Sequence, residues 1–123
     1  MIASGMGMIG NDIRTNELKV ASIRMLSKNK CKSLEFPGSL FKGLFSIKFV
    51  KKIICSDGMI CGGVAIDTCK GDSGGPVIAN INNRFTVIGL SSFMQTGSCG
   101  NTVPGGYSDV SYADNLKFIR NVN

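Results

Sequence analysis

Apolar residues in this chain come in short runs cut by glycine and asparagine, and that punctuation limits its fold more than any other feature. Gly75 to Ala79 and Phe85 to Leu90 are two such runs, rich in β-branched residues and separated by Asn80, Asn82 and Asn83, which is the pattern of a β-hairpin. Leu18 to Arg24 alternates in part, as a half-buried strand does, and Tyr107 to Tyr112 alternates less cleanly. After it, Asp114 is placed to cap a short terminal helix with Leu116, Ile119 and Val122 on one side. Sixteen glycines and frequent turns suit a barrel or sandwich better than a helical bundle. The expectation is one all-β domain over residues 1–123. A chain of that length buries roughly two-thirds of its surface.

The 123 residues contain no histidine, which removes any His-dependent zinc site and any Ser–His or Cys–His activation within this chain. No metal or cofactor is expected. The formal charge is +6, but it is unevenly spread: Lys28, Lys30, Lys32, Lys42, Lys48, Lys51 and Lys52 are opposed only by Glu35. Phe36, Phe41, Phe45 and Phe49 interleave with them at spacings open to an amphipathic membrane helix, yet Pro37, Gly38 and Gly43 break the pattern. A solvated basic loop with a few core-facing phenylalanines is the favoured reading, so neither nucleic acid nor a membrane is expected as partner. Five cysteines in a small domain point to an oxidising compartment, outside the cell. Met1 to Gly10 lacks the charged and apolar regions of an export signal, so the chain is expected to be a piece whose front is missing.

The chemistry is concentrated in Cys69-Lys70-Gly71-Asp72-Ser73-Gly74-Gly75-Pro76. A serine among glycines sits where backbone can approach a ligand closely, and successive N–H groups in such a turn form a concave anion site. By composition alone the string would be a tight turn with a side-chain cap. As an exact string, Gly71 to Pro76 resembles the active-serine signature of the chymotrypsin/trypsin family of serine endopeptidases. Further segments resemble the same family in order: Ala3-Ser4-Gly5-Met6-Gly7, Leu18 to Cys31, Met59-Ile60-Cys61, Ser91-Ser92-Phe93, Pro104-Gly105-Gly106-Tyr107 and Asp114 to Val122. The resemblance covers nearly the whole chain and only the second half of the family's domain.

That resemblance implies the second six-stranded antiparallel Greek-key barrel of a chymotrypsin-like protease, closed by a short C-terminal helix, acting on polypeptides. Ser73 would be the nucleophile, with the backbone N–H groups of Gly71 and Ser73 as oxyanion hole. Asp72 would be a structural carboxylate that pairs with a new amino terminus. The specificity pocket would comprise Asp67 at its base, selecting Arg or Lys, together with Ser92, Phe93, Met94 and Gly105. Met94 stands where trypsin-like members carry glycine, and Phe93 where tryptophan is usual. Lys70 matches a rim position facing substrate rather than a substitute base.

The resemblance also implies disulfides Cys69–Cys99 and Cys31–Cys61, leaving Cys55 either a free thiol or a partner for a cysteine elsewhere. Residues 32–54, which hold five of the ten lysines, lie in a connection between Cys31 and Cys61 that is longer than the family shows and read as a surface insertion or an erroneously translated segment. The catalytic His and Asp of the family come from its first barrel. This chain alone is therefore expected to be inactive, a fragment that needs an N-terminal barrel. Two other readings stand beside it: a non-catalytic module whose pocket still holds a basic side chain, and a cationic protein that binds anionic surfaces through its lysines.

Overall fold

The computed structural model describes residues 1–10, 13–33, 35–39, 48–52, 55–63, 66–93, 99 and 104–122. Phe41, Phe45 and Met94 lie outside the described residues. The strands are β1 (Ile2–Gly5), β2 (Lys19–Ser22), β3 (Met25–Leu26), β4 (Glu35–Ser39), β5 (Lys48–Lys52), β6 (Met59–Gly62), β7 (Pro76–Ile81), β8 (Arg84–Phe93) and β9 (Gly105–Asp109). Among the described residues there are two short helices, α1 (Lys28–Ser33) between β3 and β4 and α2 (Ala113–Asn121) after β9.

Seven strands form one antiparallel sheet in the order β2-β1-β7-β8-β9-β6-β3, and among the described residues β4 pairs only with β5. The two ends of the large sheet are neighbours in the chain, separated by Ile23 and Arg24. Those residues continue the ladder in both directions. Ile23 N–H donates to Met1 O (2.7 Å), the Met1 amino group donates to Ile23 O (3.0 Å), and Gly63 N–H donates to Arg24 O (3.2 Å). With β2 and β3 read as one kinked strand, the sheet closes into the six-stranded barrel expected from the sequence, and closure removes the open edges that invite mispairing.

The β7–β8 hairpin forms where the asparagines predict it. Asn82 and Asn83 take positive φ values of 51° and 61°, the mirror-image two-residue turn whose twist matches the flanking strands. Inside the barrel, Ala3, Ile23, Val77 and Tyr107 pack together with Met1, Ile60 and Ile88 around them. Helix α2 starts as predicted but is capped differently: Tyr112 holds the N-cap position without a side-chain hydrogen bond, and Asp114 sits in the first turn, where its charge favours the helix dipole. Neither Leu116, Ile119 nor any other α2 residue is buried.

The cysteines divide differently from expectation. Cys69 and Cys99 are bridged, but Cys61 pairs with Cys55, leaving Cys31 as a buried free thiol. The Cys31–Cys61 pairing is thereby corrected. Cys55 lies with Cys31 of α1 and Cys61 of β6 in one buried cluster, the three sulfurs within 4.8 Å of one another, and the cysteine bonded to Cys61 is Cys55. Burial pushes the Cys31 thiol pKa up and holds it protonated. A thiol reagent is accordingly expected to find one thiol per chain in denaturant and almost none in the native state. Rapid native labelling, or a count other than one, would overturn this assignment.

Candidate active site

The turn at residues 69–76 is fixed by its own backbone and by β8. Asp72 N–H donates to Cys69 O (3.0 Å), Gly75 N–H to Asp72 O (2.9 Å), and Gly74 N–H to Ser91 O (2.8 Å), while Ser91 N–H donates back to Gly75 O (2.9 Å). Gly71 and Gly74 adopt φ of 98° and 78°, where a side chain would be strained. Ser73 is thereby carried on the outside of the turn, exposed to solvent. Among the described residues the N–H groups of Gly71 and Ser73 have no partner, whereas their neighbours at 72, 74 and 75 are all engaged. Two unengaged donors beside an exposed hydroxyl can receive an oxyanion.

Asp72 turns away from Ser73. One of its oxygens accepts from Gly7 N–H (2.7 Å) and the other from Cys69 N–H (2.9 Å), which clasps the turn to the end of β1. Met8 N–H donating to Lys70 O (2.9 Å) closes the same seam. The clasp leaves no room for side chains opposite: a Cβ on Gly5 would fall 1.9 Å from an Asp72 oxygen, and one on Gly7 2.5 Å. A cavity of about 360 Å³ opens along this seam, with Ala3, Gly7, Asp67, Cys69, Asp72 and Cys99 among its lining.

Asp67 stands beneath a second glycine cradle. A Cβ on Gly105 would come within 2.7 Å of its carboxylate, and one on Gly63 within 2.8 Å. Its Oδ1 accepts from Thr68 N–H (2.7 Å) and from the Tyr107 hydroxyl, and Ser91 Oγ donates to Thr68 Oγ1 (3.0 Å). Burial raises the Asp67 pKa above the ordinary carboxylate range, and the hydrogen bonds from Tyr107 and Thr68 offset part of that rise. Burial and the adjacent carboxylate push the Tyr107 hydroxyl pKa upward, so it stays a donor. No basic side chain is hydrogen-bonded or ion-paired to Asp67 among the described residues.

Of the residues the sequence assigned to a specificity pocket, Asp67 and Gly105 come together directly. Phe93, 38% exposed, lies over Gly106, where a Cβ would meet its ring at 2.5 Å, and Ser92 is exposed beside it on β8. A bulge between Ser91 and Phe93 re-aims this stretch of β8. Sequence reasoning missed Thr68, Tyr107 and Gly63, which meet Asp67 only in the folded chain.

The sequence profile of the trypsin family matches residues 1–116. The CLIP domain-containing serine protease C9 of Anopheles gambiae is 31% identical over 118 residues, covering 90% of this chain and 32% of that protein. The tissue-type plasminogen activator of Rattus norvegicus is 31% identical over 111 residues (84% of this chain, 18% of that protein), and spermosin of Halocynthia roretzi 30% over 117 (94% and 26%). The chain thus spans less than a third of the length of these curated relatives. With an antiparallel barrel, a glycine-flanked serine turn and these matches in agreement, the chain belongs to the trypsin family of serine proteases.

Proposed function

We propose that this chain supplies the nucleophile, oxyanion site and primary specificity pocket of a serine endopeptidase that cleaves after Arg or Lys, the general base coming from a first barrel outside these residues. Ser73 Oγ attacks the scissile carbonyl as the base takes its proton. The N–H groups of Gly71 and Ser73 donate to the oxyanion, and collapse to an acyl-enzyme expels the amine, which receives that proton. Water then releases the acyl group. The observation that carries this reading is Asp67, a half-buried carboxylate roofed by glycine and, among the described residues, without a basic partner, on the same loop as the serine turn. An acid in that setting selects a long cationic side chain by charge pairing in a partly dry site.

Two further features support the division of labour. The cavity beside Asp72 can admit a chain terminus, whose ammonium would pair with that carboxylate. Leu18, Val20, Phe85, Phe118 and Val122 are each 65–73% exposed, large apolar side chains that a partner barrel could cover. The disulfides fit an extracellular setting. The absence of histidine favours, as a second reading, a pocket that binds basic side chains without cutting.

Benzamidine is expected to bind this chain, to bind at least about tenfold more weakly to Asp67→Asn, and to bind Ser73→Ala as it binds wild type. Because the folded Asp67 carboxyl holds its proton to higher pH than the unfolded one, two pH effects follow. Cation binding should strengthen as pH rises through the raised value. The stability Asp67 contributes is complete below the ordinary carboxylate range and is lost as pH rises through that value, a loss Asp67→Asn removes. Calorimetric titration and melting curves read both, and equal benzamidine affinity for wild type and Asp67→Asn would overturn the pocket assignment.

A further inference from the structure

Three cysteine sulfurs are buried together at one place in the fold. Cys31 comes from α1, Cys61 from β6, and Cys55 from the chain just before β6. Each is at most 3% exposed, and the three Sγ atoms lie within 4.8 Å of one another. Two of them form the Cys55–Cys61 disulfide, while Cys31 is bonded to no other cysteine. A disulfide needs only two sulfurs. The third makes the cluster a set of three soft ligands as soon as the bridge is opened, and none of its members belongs to the peptide-cleaving site.

We propose that this cluster, in its reduced form, is a site for one copper(I) ion held by Cys31, Cys55 and Cys61. A dithiol opens it. One thiolate of the dithiol attacks a bridge sulfur, the Cys55–Cys61 bond breaks, and the second thiolate resolves the mixed disulfide, so two electrons pass to the chain, Cys55 and Cys61 become thiols, and the dithiol leaves as its own disulfide. One copper(I) ion then binds as three thiol protons pass to water. The donor set selects the metal. Thiolates are soft ligands, which sets aside calcium, magnesium and manganese. Among the described residues no further Cys, and no His, Asp or Glu, joins the three, whereas structural zinc and iron–sulfur clusters take four protein ligands. Copper(I), a closed-shell ion, is stable with three sulfurs in a plane. With metal–sulfur bonds of about 2.3 Å, a planar site spaces its sulfurs about 4 Å apart, inside the 4.8 Å that encloses this cluster. Met59 packs against the three cysteines, and their burial limits the access of solvent to a bound ion.

Titration of copper(I) without oxygen, in competition with the chromogenic chelator bicinchoninate, tests the proposal on the full chain reduced by dithiothreitol and then freed of it. The reduced chain is expected to take copper(I) from the chelator and the oxidised chain to take none. Cys31→Ser should weaken binding at least about tenfold. The paired variant Cys69→Ser, Cys99→Ser, checked as folded by circular dichroism, should bind as wild type does, which separates this cluster from the other two sulfurs. Copper K-edge X-ray absorption of the reduced wild-type chain should count three sulfurs at one distance, a readout that needs no variant to fold. Coordination by two sulfurs, unchanged affinity in Cys31→Ser, or equal binding by the oxidised chain would overturn the proposal.

Discussion

A fluorophosphonate probe is expected to leave Ser73 of this chain unmodified under conditions that label a complete trypsin-type protease within minutes. A serine hydroxyl is a weak nucleophile until a neighbouring base removes its proton, and loss of the histidine from a Ser–His–Asp triad costs about 10⁶ in turnover. The 123 residues supply no histidine. Lys70 is the nearest cation in sequence, three residues before Ser73, yet it is exposed, and an ammonium donates protons rather than accepting them. In triad proteases that have lost a triad member, oxyanion donors and substrate binding alone leave only a small residual rate over water. Intact-mass measurement after probe treatment reads the result, with a longer protein carrying both barrels as the positive case. Stoichiometric labelling of Ser73 in the isolated chain would overturn the dependence on an outside base and would assign the deprotonation to residues of this barrel.

Gly5→Ala is expected to be the most damaging methyl that can be added near the site. Its Cβ would fall 1.9 Å from an Asp72 oxygen, so either the carboxylate leaves its two N–H donors or β1 shifts away from β7. Leaving those donors unpaired costs about 1–3 kcal/mol, and forcing extra volume into a packed site costs about as much. For a domain of this size that lowers the melting temperature by roughly 4 °C or more for each kcal/mol. Removing the opposing side chain should relieve the clash, so the double variant Gly5→Ala, Asp72→Ala should be more stable than the sum of the two single losses predicts. Wild-type stability in Gly5→Ala, or strict additivity in the double variant, would show that the clasp does not bear on stability.

The parts of this protein that were legible in its sequence are those decided over a few residues. The Asn82-Asn83 turn needs only two residues tolerant of positive φ, and the 71–76 string carries its own glycines, so both the hairpin and the exposed serine follow from local chemistry. What the sequence concealed depends on where distant segments meet. Tyr107 bonds Asp67 across 40 positions because β9 lies between β8 and β6, and no spacing rule announces that contact. The Cys55–Cys61 bridge was hidden for the same reason: pairing by family resemblance assigns Cys31, but Cys55 puts a third sulfur in the same place. At α2 the misreading was smaller, an acidic residue assigned to the cap when it occupies the first turn.

The closure of the barrel has a kinetic meaning. Closure needs a long-range seam as well, the β1–β7 ladder that joins Ile2 to Ile78 and Ala3 to Val77, so β1 finds its second neighbour only after most of the chain is present. Contacts between such distant segments form slowly, since the loop entropy must be overcome before they yield any stabilisation, and barrels of this kind fold in about milliseconds to seconds. The β7–β8 hairpin, by contrast, assembles from neighbours. The bond between Gly7 and Asp72 crosses the slow seam, 65 residues apart. The loop that presents Ser73 is therefore ordered by one of the last events of folding, and an incompletely closed barrel would have its secondary structure without a shaped site.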